Sequence, residues 1–196
     1  MAIANELKKR DSEVKIVYIG PKGDKLLDIP RQNQNISQVY SIYSGKFRRY
    51  HQEGWKQILD YKTQILNIKD LLKTLVGIAQ SWRLLGKIKP DIIFTRGSSV
   101  SVPVALAARA RGIGYITHDS DSTPGLTNRI IAPGAVINAV AGNPSNYPYP
   151  KNKTVMVGVP ISPEYKLLNA NQVSQYRKKL ELDSYNYVLL VTSSNN

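Results

Sequence analysis

No cysteine occurs in the 196 residues. That excludes a disulfide scaffold, thiolate metal ligation and cysteine nucleophiles, and it fits a reducing compartment. No stretch approaches the roughly 20 apolar residues of a membrane span. The opening MAIANELKKR reads as an amphipathic helix and lacks the long apolar core of a secretory signal, so neither a transmembrane segment nor export is expected. Neither G-x-G-x-x-G nor G-x-x-x-x-G-K-[ST] is present, so no dinucleotide site or P-loop is supported. There is no G-x-S-x-G elbow for a serine triad. Acids are scarce as well: 14 Asp and Glu stand against 27 Lys and Arg, a net charge of +13. Such a balance favours an anionic partner, whether nucleic acid, an acidic membrane face or a phosphorylated substrate.

What is present reads as a folded α/β chain. Hydrophobic content of 42% with 21% charged residues removes disorder as the default. EVKIVYIG (13–20) is strand-like and followed by a turn; Leu26–Pro30 and ISQVYSIYSG (36–45) offer further short strand. From Trp55 to about Gly86 the pattern is helical. Tyr61, Ile65, Ile68, Leu72, Leu75, Ala79 and Trp82 form one stripe, expected to pack mostly on a core, and Gly77 marks a bend or boundary. KPDIIFTRG supplies a buried-type strand, SVSVPVALAARARGIG a small-residue helix and YITHD another strand. Two more strands flank the Pro/Asn/Tyr loop before VPIS. NQVSQYRKKLEL is a helix capped by Asn169 or Asn171, and YNYVLLV is a last strand. Alternating strands and helices imply βαβ units and a parallel sheet with right-handed crossovers.

In such sheets ligands gather at the carboxyl ends of strands. Two loops qualify. TRGSSVSVP (95–103) is hydroxyl-rich and feeds a helix N-terminus, which can donate N–H groups to a phosphate or sugar oxygen, or can be a plain turn with a capping serine. HDSDSTPGLTNR (118–129) sets His118 beside Asp119 and Asp121. Acid/base chemistry, oxygen ligation of a metal by the D-x-D pair and a simple Asx-capped loop all remain open there. His51 is expected to be solvated.

The stretch GSSVSVPVALAARARGIGYITHDSDSTPGLTNRIIA (97–132) resembles the acceptor-side domain of MurG-type glycosyltransferases. The family reads GGYVSGP, HEQN, GLTN and GNPVR; the counterparts here are GSSVSVP, HDSD, GLTN and GVPIS, and the likeness covers nearly the whole chain. By position, Asp119 stands for a glutamate and Asp121 for an asparagine, while His118 and Asn128 match outright. Ser99 replaces a tyrosine, Ser101 keeps the family serine, and Ser162 replaces an arginine that lies toward the donor. The resemblance implies acceptor-binding roles for Ser99, Ser101, His118, Asp119, Asp121 and Asn128, with Ser162 donor-proximal. It implies inverting, metal-independent transfer of GlcNAc from UDP-GlcNAc to an undecaprenyl-linked muramyl-peptide in peptidoglycan synthesis, with no cofactor.

In that family a first strand and a GGTGGH-like loop precede the helix that opens this chain, and the loop carries the histidine expected as general base. Met1 is therefore expected to be an internal methionine, the sheet to lack its first strand, and no catalytic residue is identified within the chain. The expected architecture is a Rossmann-like acceptor domain, the N-terminal half of a GT-B enzyme, over 1–163. Residues 164–196 are expected to form an interdomain helix and the first strand of a donor-binding domain, so the fragment alone is expected to be inactive.

Residues 46–90 hold ten Lys and Arg against three acids, a net +7, interleaved with aromatics. Basic and aromatic residues in an amphipathic segment suit an anionic leaflet, at about 1 kcal/mol per basic side chain near the surface. Lys46, Phe47, Arg48, Arg49, Tyr50 and Trp55 are expected to face it, placing the protein on the cytoplasmic side as a peripheral protein. The alternatives are a non-catalytic acceptor-binding subunit of a split transferase and a basic nucleic-acid-binding α/β protein; nucleic acid is not expected as a partner.

Overall fold

The computed structural model describes residues 1–45, 61–161 and 167–190. The chain divides into two compact units, Met1–Pro160 and Ile161–Asn196. In the first, α1 (Ala2–Arg10) ends on Lys8, Lys9 and Arg10, which complement the negative end of the helix dipole. Strands β1 (Val17–Pro21) and β2 (Gln38–Ile42) pair in parallel, with Val17 opposite Gln38 and Pro21 opposite Ile42. The crossover between them is helical. Asp24 caps a 3₁₀ turn at Lys25–Leu27 by accepting the Leu26 amide at 2.9 Å, and the turn runs into α2 (Asp28–Gln32). Pro30 sits in the first turn of α2, where its missing N–H costs nothing, so the strand expected at Leu26–Pro30 is a helix instead.

Helix α3 (Tyr61–Ile88) leads to β3 (Ile93–Thr95). There follow α4 (Ser101–Ala110), β4 (Tyr115–Asp119), α5 (Leu126–Ile131), β5 (Ile137–Val140) and β6 (Thr154–Met156). The last four strands form one parallel sheet in the order β3-β4-β5-β6. The expected parallel α/β architecture is what forms. Alanines 105, 107 and 108 of α4 are fully buried with Leu85, Tyr115, Ile131 and Ala135, their small side chains letting the helix seat closely on the strands. A second cluster of Ile42, Val100 and Val104, with Ile19, Leu84 and Ile93 against it, joins the two sheets.

Two expectations for α3 are corrected. The helix runs unbroken through Gly77, which is not a bend. Its packed face carries Asp70, Thr74, Gly77, Ser81 and Leu85, at steps of three and four. The expected core stripe lies on the opposite face: Ile65, Ile68, Leu72, Leu75, Ala79 and Trp82 are exposed. The reason is the segment Tyr43–Gly45, which runs across the small-polar face. The Tyr43 amide donates to Gln80 Oε1 at 2.8 Å and the Gly45 amide to Thr74 Oγ1 at 3.2 Å.

The second unit contains α6 (Ala170–Lys179). Asn169 is its N-cap in a capping box: its side chain accepts the Gln172 amide at 2.9 Å, and Gln172 Oε1 accepts the Asn169 amide at 3.0 Å. The strand expected at YNYVLLV is not formed over its described residues. Tyr187, Leu189 and Leu190 are exposed there, and among the described residues they pair with no strand.

Candidate functional site

The sheet's carboxyl edge gathers both candidate loops. β4 lies between β3 and β5 and is buried along most of its length, a position that ordinarily selects an apolar run. Here it ends Thr117-His118-Asp119, so each buried polar group needs a partner. Thr117 donates to Asn138 Oδ1 at 2.7 Å, and Asn138 in turn donates to the Ala132 carbonyl at 3.2 Å. His118, 1% exposed, donates from Nε2 to the Gly158 carbonyl at 2.9 Å. Its Nδ1 is left to accept from Ser120 Oγ at 3.4 Å. Arg96 donates to the same Ser120 oxygen at 3.1 Å. A directed chain of hydrogen bonds, Arg96 to Ser120 to His118 to Gly158, thus ties together the exits of β3, β4 and β6.

Asp119 is 6% exposed, and its Oδ2 accepts the Tyr149 hydroxyl. Burial first, and then this hydrogen bond, push the Tyr149 phenol well above its ordinary range, so it stays a donor. The Tyr149 ring stacks on Tyr147 with centroids 5.8 Å apart. The Tyr147 hydroxyl donates to the Asp121 carbonyl at 2.9 Å and accepts the Gly142 amide at 3.3 Å. The Asp121 side chain itself stands at the surface.

Asn128, on α5, donates to the His118 carbonyl at 3.0 Å, while its buried Oδ1 has no hydrogen-bond partner among the described residues. Against it lies Gly97, at φ +79°, where an added Cβ would sit 2.7 Å from that oxygen; glycine meets both demands. The hydroxyls of the β3–α4 loop are linked to one another. Ser101 Oγ pairs with Thr95 Oγ1 and lies 3.4 Å from Ser98 Oγ. Ser99 Oγ is 2.9 Å from Ser44 Oγ at the exit of β2.

The six candidate acceptor residues therefore meet at one sheet edge but differ in exposure. Ser101, His118, Asp119 and Asn128 are buried, Ser99 is half-buried and Asp121 is exposed. Among the described residues no three His, Asp or Glu side chains gather to hold a metal ion. Ser162, Lys46, Phe47, Arg48, Arg49, Tyr50 and Trp55 lie outside the described residues, as does His51. Sequence reasoning passed over Tyr147, Tyr149 and Asn138. Two tyrosines alternating with prolines in NYPYP were the available signal.

Residues 1–136 match the glycosyltransferase family 28 N-terminal domain. A Clostridium botulinum relative is 37% identical over 186 residues, which is 95% of this chain and 46% of that protein. A Geobacillus kaustophilus relative is 38% identical over 175 residues, 89% of this chain and 44% of that protein. Both are named UDP-N-acetylglucosamine--N-acetylmuramyl-(pentapeptide) pyrophosphoryl-undecaprenol N-acetylglucosamine transferase. The crystal structure of Acinetobacter baumannii MurG superposes with a TM-score of 0.57 at 21% identity, over 86% of this chain and 43% of that one, a likeness of fold. The chain spans about half the length of the curated relatives it matches. With the family's N-terminal domain matched over most of its length, the chain belongs to glycosyltransferase family 28.

Proposed function

We propose that this chain is the acceptor- and membrane-facing half of an N-acetylglucosaminyltransferase of peptidoglycan synthesis, on the cytoplasmic face of the membrane. The whole protein transfers GlcNAc from UDP-GlcNAc to an undecaprenyl-diphosphoryl muramyl-pentapeptide. The acceptor domain covers 1–163, and 164–196 begin the part that binds the donor. The observation that carries this reading is the Arg96–Ser120–His118–Gly158 hydrogen-bond chain, which draws the loops holding all six candidate residues to one sheet edge. The relatives' names supply the reaction.

Roles do not follow exposure alone, since Asp119 is as buried as the residues that hold the loops. Ser99, Asp119 and Asp121 contact the acceptor sugar and its diphosphate-linked neighbourhood. Ser101, His118 and Asn128, buried and engaged with protein partners, set the loops that present those contacts. Ser162 is assigned a donor-proximal role on the sequence resemblance alone, and no residue of this chain is assigned the base that deprotonates the acceptor hydroxyl.

Membrane contact is supported by α3. Its exposed face carries Ile65, Ile68, Leu72 and Leu75 at one helical stripe, bordered by Lys69 and Lys73. An apolar face of this kind suits acyl chains, with lysines at headgroup level, and is a poor surface for nucleic acid. Lys46, Phe47, Arg48, Arg49, Tyr50 and Trp55 supply further basic and aromatic residues in the sequence for the same role. No helix among the described residues is long and apolar enough to cross a membrane.

Calorimetric titration of the full chain with a water-soluble short-prenyl diphosphoryl-muramyl-pentapeptide tests the acceptor role. Saturable binding that Asp121→Ala weakens is the expected result. Absence of binding by the folded wild-type chain would remove the acceptor reading.

A further inference from the structure

The β5–β6 connection, Ala141–Lys153, crosses between parallel strands without an α-helix, through two 3₁₀ turns. Between those turns lie Tyr147 and Tyr149, 5% and 7% exposed, within residues 143–150, whose other residues are serine, asparagine and proline. A buried tyrosine in such a loop would ordinarily satisfy its hydroxyl with a main-chain carbonyl or water. Tyr147 does the former, at Asp121. Tyr149 instead donates to a carboxylate 30 residues away in sequence, at the carboxyl end of a central parallel strand.

We propose that Tyr149 is a positioning residue for the Asp119 carboxylate, and that the Tyr147–Tyr149 pair clamps the His118–Asp121 run against the sheet edge. The proposal rests on the acceptor-site reading above. Each ring holds a different part of the run: Tyr149 the side chain of Asp119, Tyr147 the main chain of Asp121. Ring stacking at an interplanar angle of 26° makes the two contacts one unit. A phenol donor occupies one carboxylate oxygen without cancelling its charge, and a charge-assisted bond of this class is among the stronger ones available. It removes rotation about the terminal torsion, which is otherwise broad for aspartate. The carboxylate is thereby presented to a sugar hydroxyl in one orientation. The phenol is a donor throughout the physiological range, and its burial extends that range to higher pH.

The test uses the full chain with ¹³C-labelled aspartate, the Asp119 carboxyl resonance being identified by its loss in Asp119→Asn. Tyr149→Phe should shift that resonance and leave the strand amides of β3 to β5 in place. Tyr147→Phe should leave it unmoved and shift the Gly142 amide. In calorimetry with the soluble prenyl-diphosphoryl-muramyl-pentapeptide, Tyr149→Phe should weaken binding about tenfold, or roughly 1.4 kcal/mol. The change should vanish in an Asp119→Asn background. An unmoved Asp119 resonance in Tyr149→Phe overturns the proposal. So does wild-type binding that Tyr149→Phe leaves unchanged, although the acceptor reading then stands. No binding by the wild-type chain overturns the acceptor reading and the positioning role with it.

Discussion

The main-chain carbonyl of Tyr43 rests directly against Gly77, midway along α3, leaving no room there for a Cβ. Gly77→Ala therefore pits two effects against each other. Alanine improves helix propensity by about 1 kcal/mol. Forcing a methyl into a filled contact costs typically 1–3 kcal/mol, and here the obstacle is backbone that Gln80 and Thr74 hold in place. The clash wins, and Gly77→Ala should lower the urea midpoint of unfolding. A raised midpoint would mean that the Tyr43–Gly45 segment gives way easily.

Tyr149 and Tyr115 carry phenols raised by burial, in Tyr115 despite the opposing charge of Arg109. The folded protein therefore keeps these protons at pH values where the unfolded chain, titrating near about 10, loses them. Above that value the unfolded state binds fewer protons, so stability falls as pH rises, while below it the contribution is intact. Each such group should add up to about 1.4 kcal/mol per pH unit to the slope. Denaturation curves taken from about pH 8 to pH 11.5 should show this loss. Tyr149→Phe, though less stable at the lower end, should lose stability less steeply. Parallel wild-type and mutant profiles would refute the linkage.

Elements whose signal is local are legible in the sequence. A helix cap at Asn169 or Asn171, the β3 and β4 strands, and the small-residue helix between them are all read from adjacent residues, and Asn169 is the cap that forms. What failed depends on partners distant in the chain. Periodicity locates the apolar stripe of α3 but does not say which face is covered, and Tyr43–Gly45 covers the small-polar one. YNYVLLV has strand composition, yet pairing needs a neighbour. Asp119 and Asp121 were recognisable as site candidates from their place after a strand. Their tyrosine partners lie 30 and 26 residues further on, in a loop whose composition signals only a turn.

Gly97 and Asn128 should behave as a coupled pair. Gly97→Ala places an L side chain at φ +79°, costing roughly 1–2 kcal/mol, and also crowds the Asn128 amide. Asn128→Ala removes the donor to the His118 carbonyl, at about 1–3 kcal/mol for a buried group left unpaired. In the double variant the crowding disappears but the strained φ and the lost donor remain. The double variant should thus be more stable than the sum of the singles predicts, by at least about 0.5 kcal/mol. Strict additivity in a double-mutant cycle would place the two residues in separate environments.

Leu72 and Leu75 are 56% and 54% exposed, so replacing both with glutamate should change unfolding free energy little, within about 0.5 kcal/mol per site. Membrane affinity should respond quite differently. Each leucine inserted into the acyl boundary contributes about 1.5–3 kcal/mol, and two lost together imply at least about a hundredfold weaker partitioning. The acids also repel an anionic headgroup layer, adding to the loss at low salt. Sedimentation with phosphatidylglycerol-containing vesicles measures this directly, and neutral phosphatidylcholine vesicles separate the apolar from the electrostatic part. If Leu72→Glu/Leu75→Glu partitions as the wild type does, α3 is not the membrane face. The basic-aromatic residues from Lys46 to Trp55 would then have to carry the attachment alone.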